Sequence, residues 1–416
     1  MAEPVATEPE PSLETSLGWL AVVLAFSLPL YRPWVTLATT TIFILWIIGG
    51  RLRNYATRLK GHRLTLAVLC FVGLNIVSLL WSADPIAGVK YLTKYRYLLL
   101  LPMVASAARP IYRRYAVNAF ELAAGASVLL SLGVYVDLLR IRDSHPGNPS
   151  PVMAHLDYGL LLAFAALLIL ARVLYIEMPV LRRTAWSGLA MLVIVGLFIN
   201  IGRAGQLAFV GGLAVLVIHW TIGRPIRIRV AIIVGTLLSL IALWFALPTI
   251  QTRVQQSRSD LTAALVHHRY DGNLGGRVAA FVVARDVFRE NPLLGTGVGS
   301  NMPAFRTAID TRFPQFKPSI YWYPHFHNQY TQIATELGLA GLIALAWIFW
   351  ELIRVPDRRR EVDAAALVLA TVYLLGFLGE PYFHKQITLV LFSLFAGLIS
   401  AEQPDAQGSA TLSTES

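Results

Sequence analysis

The stretch PHFHNQY, residues 324–330, sets two imidazoles and a carboxamide just ahead of a long apolar run. His327 is the residue there best suited to take a proton near pH 7. Pro324 favours a break, and a span beginning about His327 puts its imidazole on the first turn of a helix, whose positive end disfavours imidazolium. A lone interfacial histidine is more often structural than catalytic; here His325 and Asn328 add polarity beside it, and no rival nucleophile stands out. Two arginines bring complementary chemistry. Arg203, in NIGRAGQLAF, falls at the outer start of a span, where free backbone amides and a guanidinium point the same way and suit a phosphate. An arginine reaching to the interface fits that segment equally well. Arg277 opens an amphipathic helical pattern from Gly276 to Glu290 that Asn291-Pro292 ends. Arg277, Arg285 and Arg289 lie within about 120° of one another on it, while Phe281, Val282 and Phe288 give it an apolar side for docking. Arg285 and Arg289 also fit simple pairing with Asp286 and Glu290.

Other polar residues rank lower. Lys94 and Arg96, in KYRYLLL, lie in or near a span, where they line an outward cavity or pair with Glu121 or Asp137. Glu336 is half a turn out of phase with His327 and reads as a packing or arginine-pairing group. Glu380, His384 and Lys385 can close one side of a site. GTGVGSN, residues 295–301, is not a nucleotide loop: it follows a helix and lacks the lysine of a P-loop. Its glycines suit tight turns that fold this stretch back onto the membrane domain. No metal or other cofactor is expected, since no acidic residue or cysteine stands at ligand spacing from His325 and His327 and no DxD pair occurs.

These residues need a frame, and composition names it. With 56% hydrophobic and 14% charged residues, the chain is too apolar to hide in one soluble core. A helix crosses the hydrocarbon layer with about 20 apolar residues, and the runs give spans near 16–31, 34–50, 64–81, 90–108, 115–139, 155–174, 184–201, 203–220, 229–248, 327–353, 362–379 and 385–402. Trp19, Tyr31, Trp34, Trp81, Tyr91 and Trp220, near span ends, suit interfacial belts. A net charge of +11 would suit a nucleic-acid binder in a soluble chain. Here the charge is sorted by loop. With the N-terminus inside, the inner loops collect eighteen Lys and Arg, among them Arg51, Arg53, Arg58, Lys60, Arg358 and Arg359; the short outer loops hold six. That bias supports twelve spans with both ends inside and the 249–326 interval external. The expected division is a disordered tail at 1–15, helices one to nine over 16–248, an external helical loop at 249–326, helices ten to twelve over 327–402, and a disordered tail at 403–416. The first fifteen residues hold four Glu and no Lys or Arg, so the first span is expected to stay as an anchor. The single cysteine, Cys70, lies in an apolar run and staples nothing.

The run from Arg277 through NPLLGTGVGSN to PHFHNQYTQIATELGLAGL is similar to the signature region of the O-antigen ligase and polymerase superfamily. NIGRAGQLAF resembles that family's Ser-Arg-Gly element, with Gly202 and Ala204 in place of the usual Ser and Gly, and LTKYRYLLLLP resembles its early Lys/Arg-containing span. The resemblance implies an all-α polytopic membrane enzyme, GT-C-like, with about twelve spans and a large periplasmic helical loop between the ninth and tenth. It further implies an inverting, metal-independent glycosyltransferase of the Gram-negative inner membrane. Such an enzyme moves a glycan from undecaprenyl pyrophosphate to lipid A-core, its site facing the periplasm among membrane lipids, with no nucleic-acid partner. Arg203 and Arg277 then hold the pyrophosphate and His327 is the base. Lys94, Arg96, Arg289, His325 and Asn328 bind substrate. An O-antigen polymerase of the same superfamily and a lipid-linked glycan transporter without transferase chemistry are the alternatives.

Overall fold

The computed structural model describes residues 13–49, 62–107, 109–246, 248–354 and 360–401. Arg51, Arg53, Arg58, Lys60, Arg358, Arg359 and most of both expected tails lie outside them. Among the described residues the regular structure is helical, with no strand. In chain order the helices are α1 Leu13–Ser27, α2 Arg32–Ile48, α3 Arg63–Val77, α4 Pro85–Tyr95, α5 Leu100–Ala107, α6 Pro110–Tyr135, α7 His155–Tyr175, α8 Val180–Ile199, α9 Arg203–Thr221 and α10 Ile226–Ala246. There follow α11 Pro248–Leu265, α12 Asn273–Glu290, α13 Asn301–Arg312, α14 Lys317–Ile320, α15 Gln329–Ile353, α16 Arg360–Gly376 and α17 Gln386–Ser400. Six stretches of the described residues are long and apolar enough to cross a membrane: Arg63–Trp81, α6, α7, α8, α9 and α15. Shorter apolar helices are α1, α2 and α17. This fits a helical, multi-pass membrane protein.

The centre of the bundle is α7. Its residues are apolar on every side and buried along most of the helix, as expected of one walled in by other helices. α9 packs between α7 and α16, α15 lies on α3, and α17 on α5. The expected span 90–108 is not one helix. α4 ends at Tyr95, a tight 3-10 turn covers Arg96–Leu99, and α5 resumes at Leu100. Pro102 accounts for this, because it offers no amide to the carbonyl of Leu98 and its ring crowds that oxygen.

The outer segment has a core of its own. Ala279, Ala280, Val283, Ala284 and Val287 of α12 meet Met302, Phe305 and Ile309 of α13, with Phe316, Ile320, Tyr323 and Phe326 beneath. The docking face is thus the small-residue stripe, which lets helices approach closely. Phe281, 59% exposed, and Val282 are not on it. Arg312, rather than Arg285 or Arg289, takes Asp286 at 2.8 Å and also Glu290.

Where α15 passes the PLLGTGVG segment it breaks at Gly338, with φ 64° and ψ −154°. The break exposes backbone groups that the segment satisfies. Leu339 N–H donates to Pro292 O at 2.8 Å and Ala340 N–H to Leu293 O at 3.1 Å, while Thr296 and Gly297 donate to Thr335 and Glu336 carbonyls at 2.9 Å. The two backbones run so close that a Cβ at Gly338 would lie 2.4 Å from the Leu293 carbonyl carbon, and one at Gly295 2.5 Å from that of Glu336. Gly338→Ala is therefore expected to cost about 2 kcal/mol or more, read as a lower unfolding midpoint in detergent. Gly73→Ala, whose Cβ meets nothing within 4 Å, is the comparison expected to leave the midpoint in place. Equal midpoints for the two variants would show that the kink is dispensable.

Candidate active site

The approach to α15 is built by side-chain capping. Asn328 is the N-cap, its Oδ1 accepting from Thr331 N–H at 2.9 Å while its Nδ2 donates to Leu378 O at 3.3 Å. Gln329 adds two more ties to the same turn: its N–H donates to Phe377 O at 2.9 Å, and its Oε1 accepts from Phe383 N–H at 2.8 Å. Residues 377–383, which join α16 to α17, are thereby stitched to the start of α15. Asn328 thus caps the helix and ties the turn with the same amide. His327 lies before the cap, outside the first turn where the sequence pattern set it, and holds a left-handed φ of 51° that is uncommon for a residue with a side chain.

What meets its imidazole is a carboxylate from the stitched turn. His327 Nδ1 lies 3.0 Å from Glu380 Oε2. Glu380 is 1% exposed and gathers two further groups on Oε1, His325 Nε2 at 3.3 Å and Lys385 Nζ at 3.0 Å. Lys385 also reaches Asp157 at 3.0 Å. Burial alone would raise the pKa of Glu380; the His327 hydrogen bond and the Lys385 charge, joined at low pH by the two histidines once they are protonated, outweigh it and hold that pKa down to about 2. An ionised carboxylate only accepts, so it favours the His327 tautomer whose proton is on Nδ1 and whose Nε2 is an acceptor. His325 is fixed in the opposite sense. Its Nδ1 accepts from the His327 amide at 3.2 Å, leaving Nε2–H for Glu380. Burial lowers its pKa to about 4 against the pull of Glu380, so it stays neutral.

Arginines lie on two elements that adjoin this hub, and a cation-lined cavity opens next to it. Tyr323, whose ring centroid is 5.1 Å from that of His327, feels the Arg277 charge, which opposes the upward push of burial on its hydroxyl pKa. The Nε of Arg277 is buried without a hydrogen-bond partner. Arg203 begins α9 with Nη1 on Ser257 Oγ at 2.7 Å, and the next residue packs on the turn: a Cβ at Gly379 would come within 2.7 Å of that of Ala204. On the other side, beyond Lys385, opens a cavity of about 710 Å³ lined by Arg32, Lys94, Arg96 and Arg142 among others. Among the described residues no ion pair engages those four. Glu121 and Asp137, the partners considered for Lys94 and Arg96, instead take Arg172 at 2.7 Å and Arg140 at 3.7 Å.

Several residues stand elsewhere than their spacing implied. Arg289 is on the exposed face of α12, roughly three turns from Arg277, and is not brought to the hub. Among the described residues Glu336 pairs with no arginine. Fully buried, it takes Gly299 N–H at 3.3 Å and lies 3.6 Å from His384 Nε2, which is 2.7 Å from Tyr95 Oη. The acidic companion that the sequence does not show beside His325 and His327 exists in the fold, because Glu380 arrives from 53 positions away. The charges sorted by loop also sort in space. Arg113, Arg114, Arg172 and Arg182, all from loops expected inside, line one cavity, and Arg32, Arg142 and Lys385, from loops expected outside, line the other.

A family model described as O-Antigen ligase matches residues 188–346, the stretch that holds Arg203, Arg277, His325 and His327. The match covers less than half of the chain and makes that stretch similar to the O-antigen ligase and polymerase superfamily. Glu380, Lys385, Lys94 and Arg96 lie outside the matched stretch. No curated protein matches the chain.

Proposed function

We propose that this protein is an O-antigen ligase. It transfers a glycan from undecaprenyl pyrophosphate to a terminal sugar of lipid A-core at the periplasmic face of the Gram-negative inner membrane. The observation that carries the reading is His327 Nδ1 on the Glu380 carboxylate at 3.0 Å, beside a cavity lined by Lys385, Lys94 and Arg96. An imidazole so held is a directed base. The acceptor hydroxyl oxygen attacks the anomeric carbon from the face opposite the diphosphate and its proton passes to His327 Nε2. The bond from the anomeric carbon to the diphosphate oxygen breaks, and the undecaprenyl diphosphate leaves with that electron pair. Configuration inverts. Arg203 and Arg277 balance the charge that develops on the leaving group, with Lys94 and Arg96 across the hub, so guanidinium and ammonium groups do the work a divalent ion does in other transferases. The family match, the clustering of outer-loop cations and the positive-inside bias together support a periplasmic site reached from twelve spans.

The test is reconstitution in proteoliposomes with purified undecaprenyl-pyrophosphate glycan and lipid A-core. The expected product is glycan-bearing lipid A-core. A lengthened lipid-linked donor would instead identify a polymerase, the reading that shares the family match, and glycan crossing the bilayer without bond formation would identify a transporter.

A further inference from the structure

We infer that His325, His327 and Glu380 form an inhibitory site for zinc. The site rests on geometry already described, and its inhibitory effect rests on His327 being the base. Four-coordinate Zn²⁺ binds imidazole nitrogen and carboxylate oxygen at about 2.0–2.2 Å, which sets neighbouring ligand atoms about 3.3 Å apart. One such edge is already in place, His327 Nδ1 to Glu380 Oε2 at 3.0 Å, while His325 Nε2 lies 3.3 Å from the other carboxylate oxygen, Oε1, and has a short way to move onto the same ion. The three ligand atoms all lie within 4.8 Å of one another, so a small closure of the two rings completes a three-residue set with one position left for water. The rings are positioned for it, since their centroids are 4.4 Å apart on a backbone tied at Asn328 and Gln329.

Entry of the ion requires three adjustments, and each has somewhere to go. Lys385 leaves Glu380 and keeps Asp157, which it already reaches at 3.0 Å. On His325 the proton moves from Nε2 to Nδ1, giving up the bond from the His327 amide. On His327 it moves from Nδ1 to Nε2. The last shift is the one that matters: with zinc on Nδ1, the atom that must receive the acceptor's proton carries a proton of its own. No proton is released and none is consumed, yet the base is gone.

The experiment uses the full-length protein in detergent, stripped with chelator and titrated with Zn²⁺ alone, and with Co²⁺ as a spectroscopic substitute. One tight equivalent is expected, with the intense visible band of four-coordinate Co²⁺ and two imidazoles in the zinc X-ray absorption spectrum of the wild type. His325→Gln is expected to lose that band. In the reconstituted assay the stripped protein is active, and one equivalent of zinc lowers transfer by about 100-fold or more, the loss of a general base, reversed by chelator. A zinc spectrum without imidazole ligands overturns the site; two-imidazole binding with transfer unchanged overturns the inhibition. A stripped protein that binds zinc this way but transfers no glycan overturns the transferase reading and leaves the metal site standing.

Discussion

Glu380→Gln lowers kcat for glycan transfer by about 10³–10⁴-fold, the loss seen when an amide replaces the carboxylate behind a catalytic imidazole, and leaves KM for both lipids nearly unchanged. The carboxylate accepts on both oxygens and so dictates the proton position on His327. An amide in its place presents a donor to one imidazole, and where that donor faces Nδ1 the proton is driven to Nε2, which can then no longer act as base. His327→Ala should lose as much, and the double variant no more, because two groups that act as one unit do not add. A KM effect at constant kcat would assign Glu380 to binding and end the dyad reading. The pH dependence has a sign that separates Glu380 from an ordinary surface carboxylate. Its folded pKa of about 2 lies below the usual 4.5, so the stability it contributes is complete above pH 4.5 and disappears only as pH falls through about 2.

His327 and Arg277 were legible in the sequence because local signals bound the helices near them, Pro324 ahead of α15 and the Asn291-Pro292 stop after α12. The start of α9 at Arg203 and the end of α12 at Glu290 follow for the same reason. Glu380 was visible only as a group able to close one side of a site. Its role depends on a turn 53 residues away being stitched to α15 through Asn328 and Gln329, and no period in the chain encodes that pairing. The same limit explains Arg312, which reaches Asp286 and Glu290 across a helix pair. It also explains the docking face of α12. A hydrophobic count favours Phe281 and Val282, yet α12 closes on its alanines with Val283 and Val287, and Phe281 and Val282 stay outside. Pro102 was readable in principle: a proline four residues after Leu98 forecasts the break in the helix that leaves Lys94 and Arg96 at the wall of a cavity instead of inside a straight span.

Arg277→Ala lowers kcat/KM for the lipid-linked donor by about 10²–10³-fold, the scale of removing one preorganised donor from a developing anion, while Arg285→Ala, on the exposed face of the same helix, stays near wild type. The contrast follows from placement. Arg277 is half buried near Tyr323 with its Nε unpartnered, a costly state for a guanidinium unless an anion completes it. Arg285 faces solvent. Arg277→Lys keeps the charge but not the planar fork, so it should recover only part of the loss. Inorganic pyrophosphate offers a check that needs no turnover: it should protect wild type against thermal unfolding, and protect Arg277→Ala much less. Equal protection of the two proteins would move the diphosphate away from Arg277, toward the Lys94 and Arg96 cavity, and Arg277 would then be a group that shapes the loop around Tyr323.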